Sequence, residues 1–155
     1  MLTIDVARTV PVQEDLTKDE TRLSVLRGIE KMYRVDKPLA ASTQLLLGEW
    51  GVLNSEGKLE RPGSVGLPNT YLVFAGSERY DVVATGKVTT IFGSHIVAST
   101  DQFDTGVDYE VGDALTAKDY GGGAAGLTKA SEPDAVLARV VEFVAGKLTF
   151  ETVRN

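Results

Sequence analysis

Short apolar runs alternate with turn-forming residues over most of the chain. Glycine, asparagine, aspartate and proline separate these runs, and this spacing is typical of strands joined by tight turns. The pattern therefore predicts a mainly β protein, folded as a small β-barrel or sandwich. The predicted strands cover residues 29–35, 45–53, 71–74, 82–84, 88–92 and 135–141.

Two passages of the sequence resemble each other in their order and their endings. The first opens on Gly48-Glu49, continues through Gly57-Lys58-Leu59 and ends on Gly86-Lys87-Val88-Thr89. The second opens on Gly112-Asp113, continues through Gly126-Leu127-Thr128-Lys129 and ends on Gly146-Lys147-Leu148-Thr149. They predict two similar hairpin units, which either pack face to face or close one barrel. Chance reuse of similar turns is the alternative, because β-proteins share a small set of turn sequences.

The first 28 residues are predicted to form an extended N-terminal arm, before a β-rich body at residues 29–155. Leu2, Ile4 and Val6 alternate with polar or small residues, which predicts a short strand within the arm.

A helix is predicted in the second half of the arm. In residues 15–27, the spacing of Leu16, Leu23 and Leu26 places them near one face of a helix. Gly28 is the expected end of that helix. No other helix is predicted.

The charge of the chain is distributed unevenly. The net charge is −6, but residues 1–34 carry six acidic and six basic side chains, so the remainder carries the whole excess. A neutral, charge-dense front before an acidic body indicates either a partner-binding segment or a solvated one. No cluster of lysine and arginine occurs, so no nucleic-acid partner is expected.

No apolar run approaches the roughly 20 residues that a membrane helix needs, so no membrane partner is expected. Residues 1–8 also lack the pattern of a signal peptide. The chain contains no cysteine, which excludes a disulfide framework and thiolate chemistry. This composition fits folding in a reducing cytoplasm.

Two motifs suggest catalysis or nucleotide binding at first sight. Residues 121–126 match G-x-G-x-x-G, but a dinucleotide site needs a helix after this motif, and residues 127–130 look like a strand. The run is therefore predicted to be a hairpin tip. His95 is the single histidine, and its neighbour Ser94 is expected to face the other side of a strand. No catalytic or cofactor-binding residue is predicted.

Five acidic residues lie between positions 101 and 113, where calcium binding is the alternative to a solvated loop. Calcium prefers several carboxylate oxygens on a flexible loop, but the spacing misses the EF-hand pattern, so no metal site is predicted. Trp50, beside Gly48 and Gly51, is predicted to pack in the core, with an interface position as the alternative.

Several of these stretches together resemble the small capsid decoration (cement) proteins of tailed bacteriophages. The resemblance is carried by Gly48-Glu49-Trp50, by residues 78–89, by the Val-Gly-Asp-x-Leu turn at 111–115 and by Ala138-Arg139-Val140. It covers residues 45–153 and leaves the arm out. It is a pattern of turns and strands and contains no catalytic signature.

The resemblance implies a structural protein of the virion, made in the host cytoplasm and not an enzyme. Such proteins bind the outer surface of the capsid and bridge neighbouring subunits. The expected partners are the major capsid protein and copies of the chain itself, as a trimer or dimer. The candidate interface residues are Leu2, Ile4, Val6, Arg8, Arg22 and Arg27. The alternatives are a tail-tube or baseplate protein, and a β module that binds a small ligand or calcium.

Overall fold

The computed structural model describes residues 21–153, which form two antiparallel sheets of six and five strands. The predicted mainly β fold class is confirmed, and the arrangement of the sheets is consistent with a sandwich.

Most connections between the strands contain glycine or polar turn residues, as the sequence predicts. In chain order the strands are β1 (Ser24–Arg27), β2 (Tyr33–Pro38), β3 (Trp50–Leu53), β4 (Leu59–Glu60), β5 (Thr70–Ala75), β6 (Lys87–Phe92), β7 (Val97–Thr100), β8 (Ala114–Ala117), β9 (Leu127–Lys129), β10 (Ala138–Val144) and β11 (Lys147–Thr152). A 3-10 turn at Ile29–Lys31 follows β1, and helix α1 at Tyr80–Thr85 lies between β5 and β6.

The same five-strand topology occurs twice. The five-stranded sheet has the order β2-β6-β5-β3-β4, and the six-stranded sheet has the order β1-β7-β11-β10-β8-β9. We call β2 to β6 unit 1 and β7 to β11 unit 2. In each unit the sheet order is first, fifth, fourth, second and third strand, and every neighbouring pair is antiparallel. Strand β1 is an addition at the β7 edge of unit 2.

The Gly-acid turns that open the two passages have the same hydrogen bonds. We call residues 46–49 turn 1 and residues 110–113 turn 2. In unit 1 the Gly48 amide donates to the Val73 carbonyl (3.0 Å), and the Val73 amide donates to the Glu49 carbonyl (2.9 Å). The matching bonds in unit 2 join the Gly112 amide to the Val140 carbonyl (2.9 Å) and the Val140 amide to the Asp113 carbonyl (3.0 Å).

The strand registers of the units also match, including a bulge at the same place. In unit 1, Val73 pairs with Thr90 and Ala75 pairs with Thr89, with an irregularity between the pairs. The matching pairs in unit 2 are Val140 with Phe150 and Glu142 with Thr149, again with an irregularity between them. Bulges fix register and twist. The structure therefore confirms two similar hairpin units, in the alignment that the closing Gly-Lys motifs predict.

An ion pair and a bridge recur at equivalent positions as well. The acid of turn 1 pairs with Arg61 at 3.4 Å, and the acid of turn 2 pairs with Lys129 at 3.2 Å. Each basic residue lies two positions after a leucine that forms an isolated parallel bridge. These bridges are Leu39 with Leu59 and Phe103 with Leu127.

The units differ most in the connection that leads to their last strand. In unit 2, β10 and β11 are joined by a tight turn in which Ala145 and Gly146 both have positive φ. In unit 1, α1 takes this place and ends at Gly86, which has a left-handed conformation with φ of 72°.

A row of apolar side chains from unit 1 packs on unit 2. Trp50, Leu72 and Ile91 are register partners across three strands of unit 1, and all three are buried. They share one apolar cluster with unit 2 residues, which include Ala98, Leu115, Leu127, Val140, Leu148 and Phe150. The rings of Trp50 and Phe150 lie 6.2 Å apart. The core position predicted for Trp50 is confirmed.

The helix predicted for residues 15–27 is wrong over the part that forms β1. Ser24 pairs with Ser99 and Val25 pairs with Ala98, so this part of the predicted arm belongs to the six-stranded sheet. Leu23 is buried in the shared core. Pairing with an exposed strand edge outweighs the weak helical spacing, because tertiary contacts override local propensity. Residues 15–20 lie outside the described residues.

Four predicted strands also need correction. Of the strands predicted at 45–53 and 135–141, β3 begins only at Trp50 and β10 only at Ala138. Residues 29–31 form the 3-10 turn, and β2 continues through Pro38 instead of stopping before it. Proline is tolerated there because β2 is an edge strand. Residues 82–84 lie in α1, since Gly86 supplies the left-handed residue that ends a helix.

Candidate interaction surface

Arg22, one of the predicted interface residues, is tied into the body. Its Nε atom donates to the Leu47 carbonyl of turn 1 at 2.7 Å, and its carbonyl accepts a hydrogen bond from the Thr100 hydroxyl of unit 2. The Thr21 carbonyl also accepts from the Asp101 amide at 2.9 Å. Arg22 therefore holds the start of β1 against both units and is half-buried.

Arg27, the other predicted interface residue that the structure describes, is exposed at the end of β1. It lines an open pocket of about 230 Å³ together with Gly28, Glu30, His95, Val97 and Glu151. His95 Nδ1 lies 2.9 Å from Glu151 Oε2 at this pocket. The pocket thus places a cation, an imidazole and two carboxylates beside the link between β1 and β2.

Large apolar side chains surround Arg27 in sequence and are exposed. Leu26, Ile29 and Tyr33 are each more than half exposed, and the Tyr33 ring stacks on Phe92 at 5.3 Å. We call Leu26, Arg27, Ile29, Glu30 and Tyr33 the N-terminal surface. Apolar residues within a polar rim are typical of protein interfaces.

Sequence reasoning missed the apolar part of this surface. It placed Leu26 near one face of a helix, with Leu16 and Leu23, and the other two side chains on a strand of the body. The remaining predicted interface residues, Leu2, Ile4, Val6 and Arg8, lie outside the described residues.

The edge strands β1 and β2 are protected against pairing with another strand. β1 has four residues and a register irregularity, and β2 ends at Pro38. On β2, Arg34 lies over the Phe74 ring at 4.9 Å and Lys37 lies over the Tyr71 ring at 4.7 Å. Short, bulged, charged and proline-bearing edges discourage strand addition. Contacts at the N-terminal surface are therefore expected to use side chains.

In the acidic stretch, the carboxylates of Asp101, Asp104 and Asp113 accept hydrogen bonds from nearby protein donors, whereas Asp108 and Glu110 are exposed. Asp104 accepts hydrogen bonds from the Gly106 amide at 2.9 Å and the Thr128 hydroxyl at 3.0 Å. The Glu110 amide donates to Asp113 and lowers the pKa of that carboxyl. Within residues 21–153, no group of three or more histidine, aspartate or glutamate side chains is placed to hold a metal ion.

The glycine-rich run lies in the loop between β8 and β9 and docks on unit 1. Arg61 donates to the Gly123 carbonyl through Nη2 at 2.7 Å and Nε at 3.0 Å, and the Trp50 amide donates to the Ala125 carbonyl at 2.8 Å. A strand follows the loop, as predicted, so the run lacks the helix that a dinucleotide site requires. It joins the two units instead.

Comparisons with protein-family models, with curated protein sequences and with solved structures found no match. Over the part of the chain that the structure describes, no helix has the length and apolar character needed to cross a membrane.

Proposed function

We propose that this protein is a structural component of a phage virion that binds the outer face of the capsid and stabilises it by bridging major capsid protein subunits. The resemblance of residues 45–153 to capsid decoration proteins supports the biological setting. The N-terminal surface supports the mode of action, because it combines exposed apolar side chains with a rim of charged ones.

The first 20 residues of the chain join the body just before β1, and the N-terminal surface follows at the far end of that strand. Those residues include the alternating Leu2, Ile4 and Val6, and they directly precede a segment that hydrogen bonds fix to both units. If the first 20 residues bind a capsid subunit, they therefore connect that subunit to the β body through a firmly anchored segment. Repetition of such a modest contact over a whole shell gives a large total avidity.

Binding to expanded empty capsids tests the proposal. We expect deletion of residues 2–12, and separately the double change Leu26→Asp with Ile29→Asp, to lower capsid occupancy by about tenfold or more, as for loss of an apolar hot spot. Occupancy is measured by sedimentation with capsids and densitometry of the pellet.

Val83→Asp is the matched control, because Val83 is 70% exposed on α1, away from β1 and β2 in sequence. It should leave occupancy unchanged. Unchanged occupancy in both N-terminal variants would remove the proposed contact. Spontaneous rings or tubes of the purified protein in electron micrographs would favour a tail role instead.

A further inference from the structure

Turn 1 and turn 2 are built alike down to their side-chain bonds. The Leu46 amide donates to Glu49 Oε1 at 2.8 Å, and the Glu110 amide donates to Asp113 Oδ2 at 2.8 Å. Leu47 and Val111 therefore occupy equivalent positions, each followed by a glycine of positive φ. Because the two turns are alike, any difference in the burial of Leu47 and Val111 comes from the segments that pack on each turn.

Turn 1 is covered by the chain itself. Leu47 is only 5% exposed; its carbonyl accepts from Arg22 Nε and its amide donates to Glu78 Oε1 at 2.9 Å. A Cβ atom on Gly48 would lie 2.5 Å from the Arg22 carbonyl oxygen, so this backbone packs directly on the turn. The cover is the chain at Thr21 and Arg22, which is helical just before β1, and its arginine donates to the carbonyl of the apolar residue.

Turn 2 has no such cover among the described residues. Val111 is 76% exposed, and no atom would lie within 4 Å of a Cβ on Gly112. Within residues 21–153, neither the amide nor the carbonyl of Val111 forms a hydrogen bond to another protein group. Turn 2 therefore leaves open what turn 1 covers, namely the apolar side chain, the face of the glycine, and the backbone amide and carbonyl of the apolar residue.

The surroundings of turn 2 favour a cationic partner. Asp108 and Glu110 are exposed next to Val111, while the carboxylate of Asp113 pairs with Lys129. Arg139 reaches the Gly112 carbonyl at 3.3 Å and balances part of this charge. The local excess is negative, which complements an arginine-bearing segment.

We propose that turn 2 binds residues 6–10 of a second copy of the chain, with Arg8 donating to the Val111 carbonyl as Arg22 does to Leu47. Residues 6–13 carry Arg8 and no acidic side chain, so their charge complements the negative surroundings of turn 2. The 12 residues between Arg8 and Thr21 span up to about 40 Å, which is enough to reach a neighbour.

Each copy then offers one segment and one turn, which makes a head-to-tail contact between copies that a closed ring can satisfy completely. This contact joins two copies and needs no capsid, so it is tested on the purified protein alone.

Because the chain has no cysteine, a disulfide between two chosen positions gives a clean test. One tagged copy carries Thr9→Cys and a differently tagged copy carries Glu110→Cys, which leaves Arg8 and Val111 intact. The control pair is Thr9→Cys with Glu56→Cys, at an exposed turn of unit 1. We expect the first pair to form the mixed disulfide at least about tenfold faster, and Arg8→Ala to remove this advantage.

Equal rates for the two pairs would overturn the proposal. A variant with both Thr9→Cys and Glu110→Cys in one chain gives a further check. If the disulfide forms quickly only within this single chain, the segment covers its own turn 2 and the proposal is wrong. As a measurement without cysteines, sedimentation should show weaker self-association in Val111→Asp than in the equally exposed control Val83→Asp. Equal self-association in these two variants would also contradict the proposal.

Discussion

Gly48 and Gly112 offer a matched pair of residues. Both have positive φ, so alanine at either position carries a backbone cost of about 1–2 kcal/mol. At Gly48 the new Cβ would also lie 2.5 Å from the Arg22 carbonyl oxygen, whereas Gly112 has open space. We therefore expect Gly48→Ala to lose at least about 1 kcal/mol more than Gly112→Ala in urea unfolding. Equal losses would mean that Arg22 does not pack on turn 1.

Asp134 is a buried carboxylate that should make stability depend on pH. Burial raises its pKa, but hydrogen bonds from Lys118 and from the Gly66 and Ser131 amides outweigh burial and leave the pKa lowered. A carboxyl with a lowered folded pKa stabilises the protein above its unfolded pKa of about 3.9, and this contribution is lost as the pH falls through the folded pKa.

We expect Asp134→Asn to cost about 1–3 kcal/mol at neutral pH, because Lys118 loses its charged partner. The difference from the wild-type free energy of unfolding should shrink as the pH falls from neutral to below about 4, where the Asp134 carboxyl takes up a proton. Urea titrations of both proteins at several pH values measure this. A difference that stays constant over that range would contradict the assignment.

Helix α1 is the element that most distinguishes unit 1 from unit 2, and two neighbouring valines test its packing. Val82 is buried in the unit 1 cluster, while Val83 faces outward. We expect Val82→Ala to cost about 2 kcal/mol through loss of two buried methyl groups, and Val83→Ala to change stability by less than about 0.5 kcal/mol. Thermal unfolding of both variants checks this, and similar effects in both would show that α1 does not cap the cluster.

The elements that sequence reasoning predicted well are those fixed by local turn chemistry. The strands at 71–74 and 88–92 are bounded by glycine and polar residues, and the closing Gly-Lys motifs align the two units correctly. Elements that depend on distant partners were predicted poorly. β1 is a strand because β7 offers it an edge, and no feature of residues 24–27 alone reports that edge.

For the whole molecule, the paired topology follows from the sequence, but the interaction surfaces do not. Arg27 was predicted and is exposed at the N-terminal surface, whereas Arg22 is tied to Leu47 and Thr100. Val111 had no distinguishing sequence signal, because its exposure is evident only beside the buried Leu47 of the other unit. The exposure of such a residue depends on which segment packs on its turn, and that segment is distant in sequence, as Arg22 is from Leu47.

The two proposals assign the molecule two separate contact regions, the N-terminal surface on the β1 side for the capsid and turn 2 on unit 2 for a second copy. A bridging protein needs at least two, since one contact decorates a subunit without joining it to another. Sedimentation of the purified protein should therefore show weaker self-association in Val111→Asp and unchanged self-association in Ile29→Asp, because distant sites act independently. Equal losses in the two variants would indicate a single shared contact.

The protein content of purified phage particles, separated into heads and tails and analysed by quantitative mass spectrometry, tests the proposed capsid role. We expect this chain to be present in heads at a fixed ratio to the major capsid protein and to be lost from them when the N-terminal surface is changed. Its presence in the tail fraction, or its absence from the particles, would rule out the capsid role.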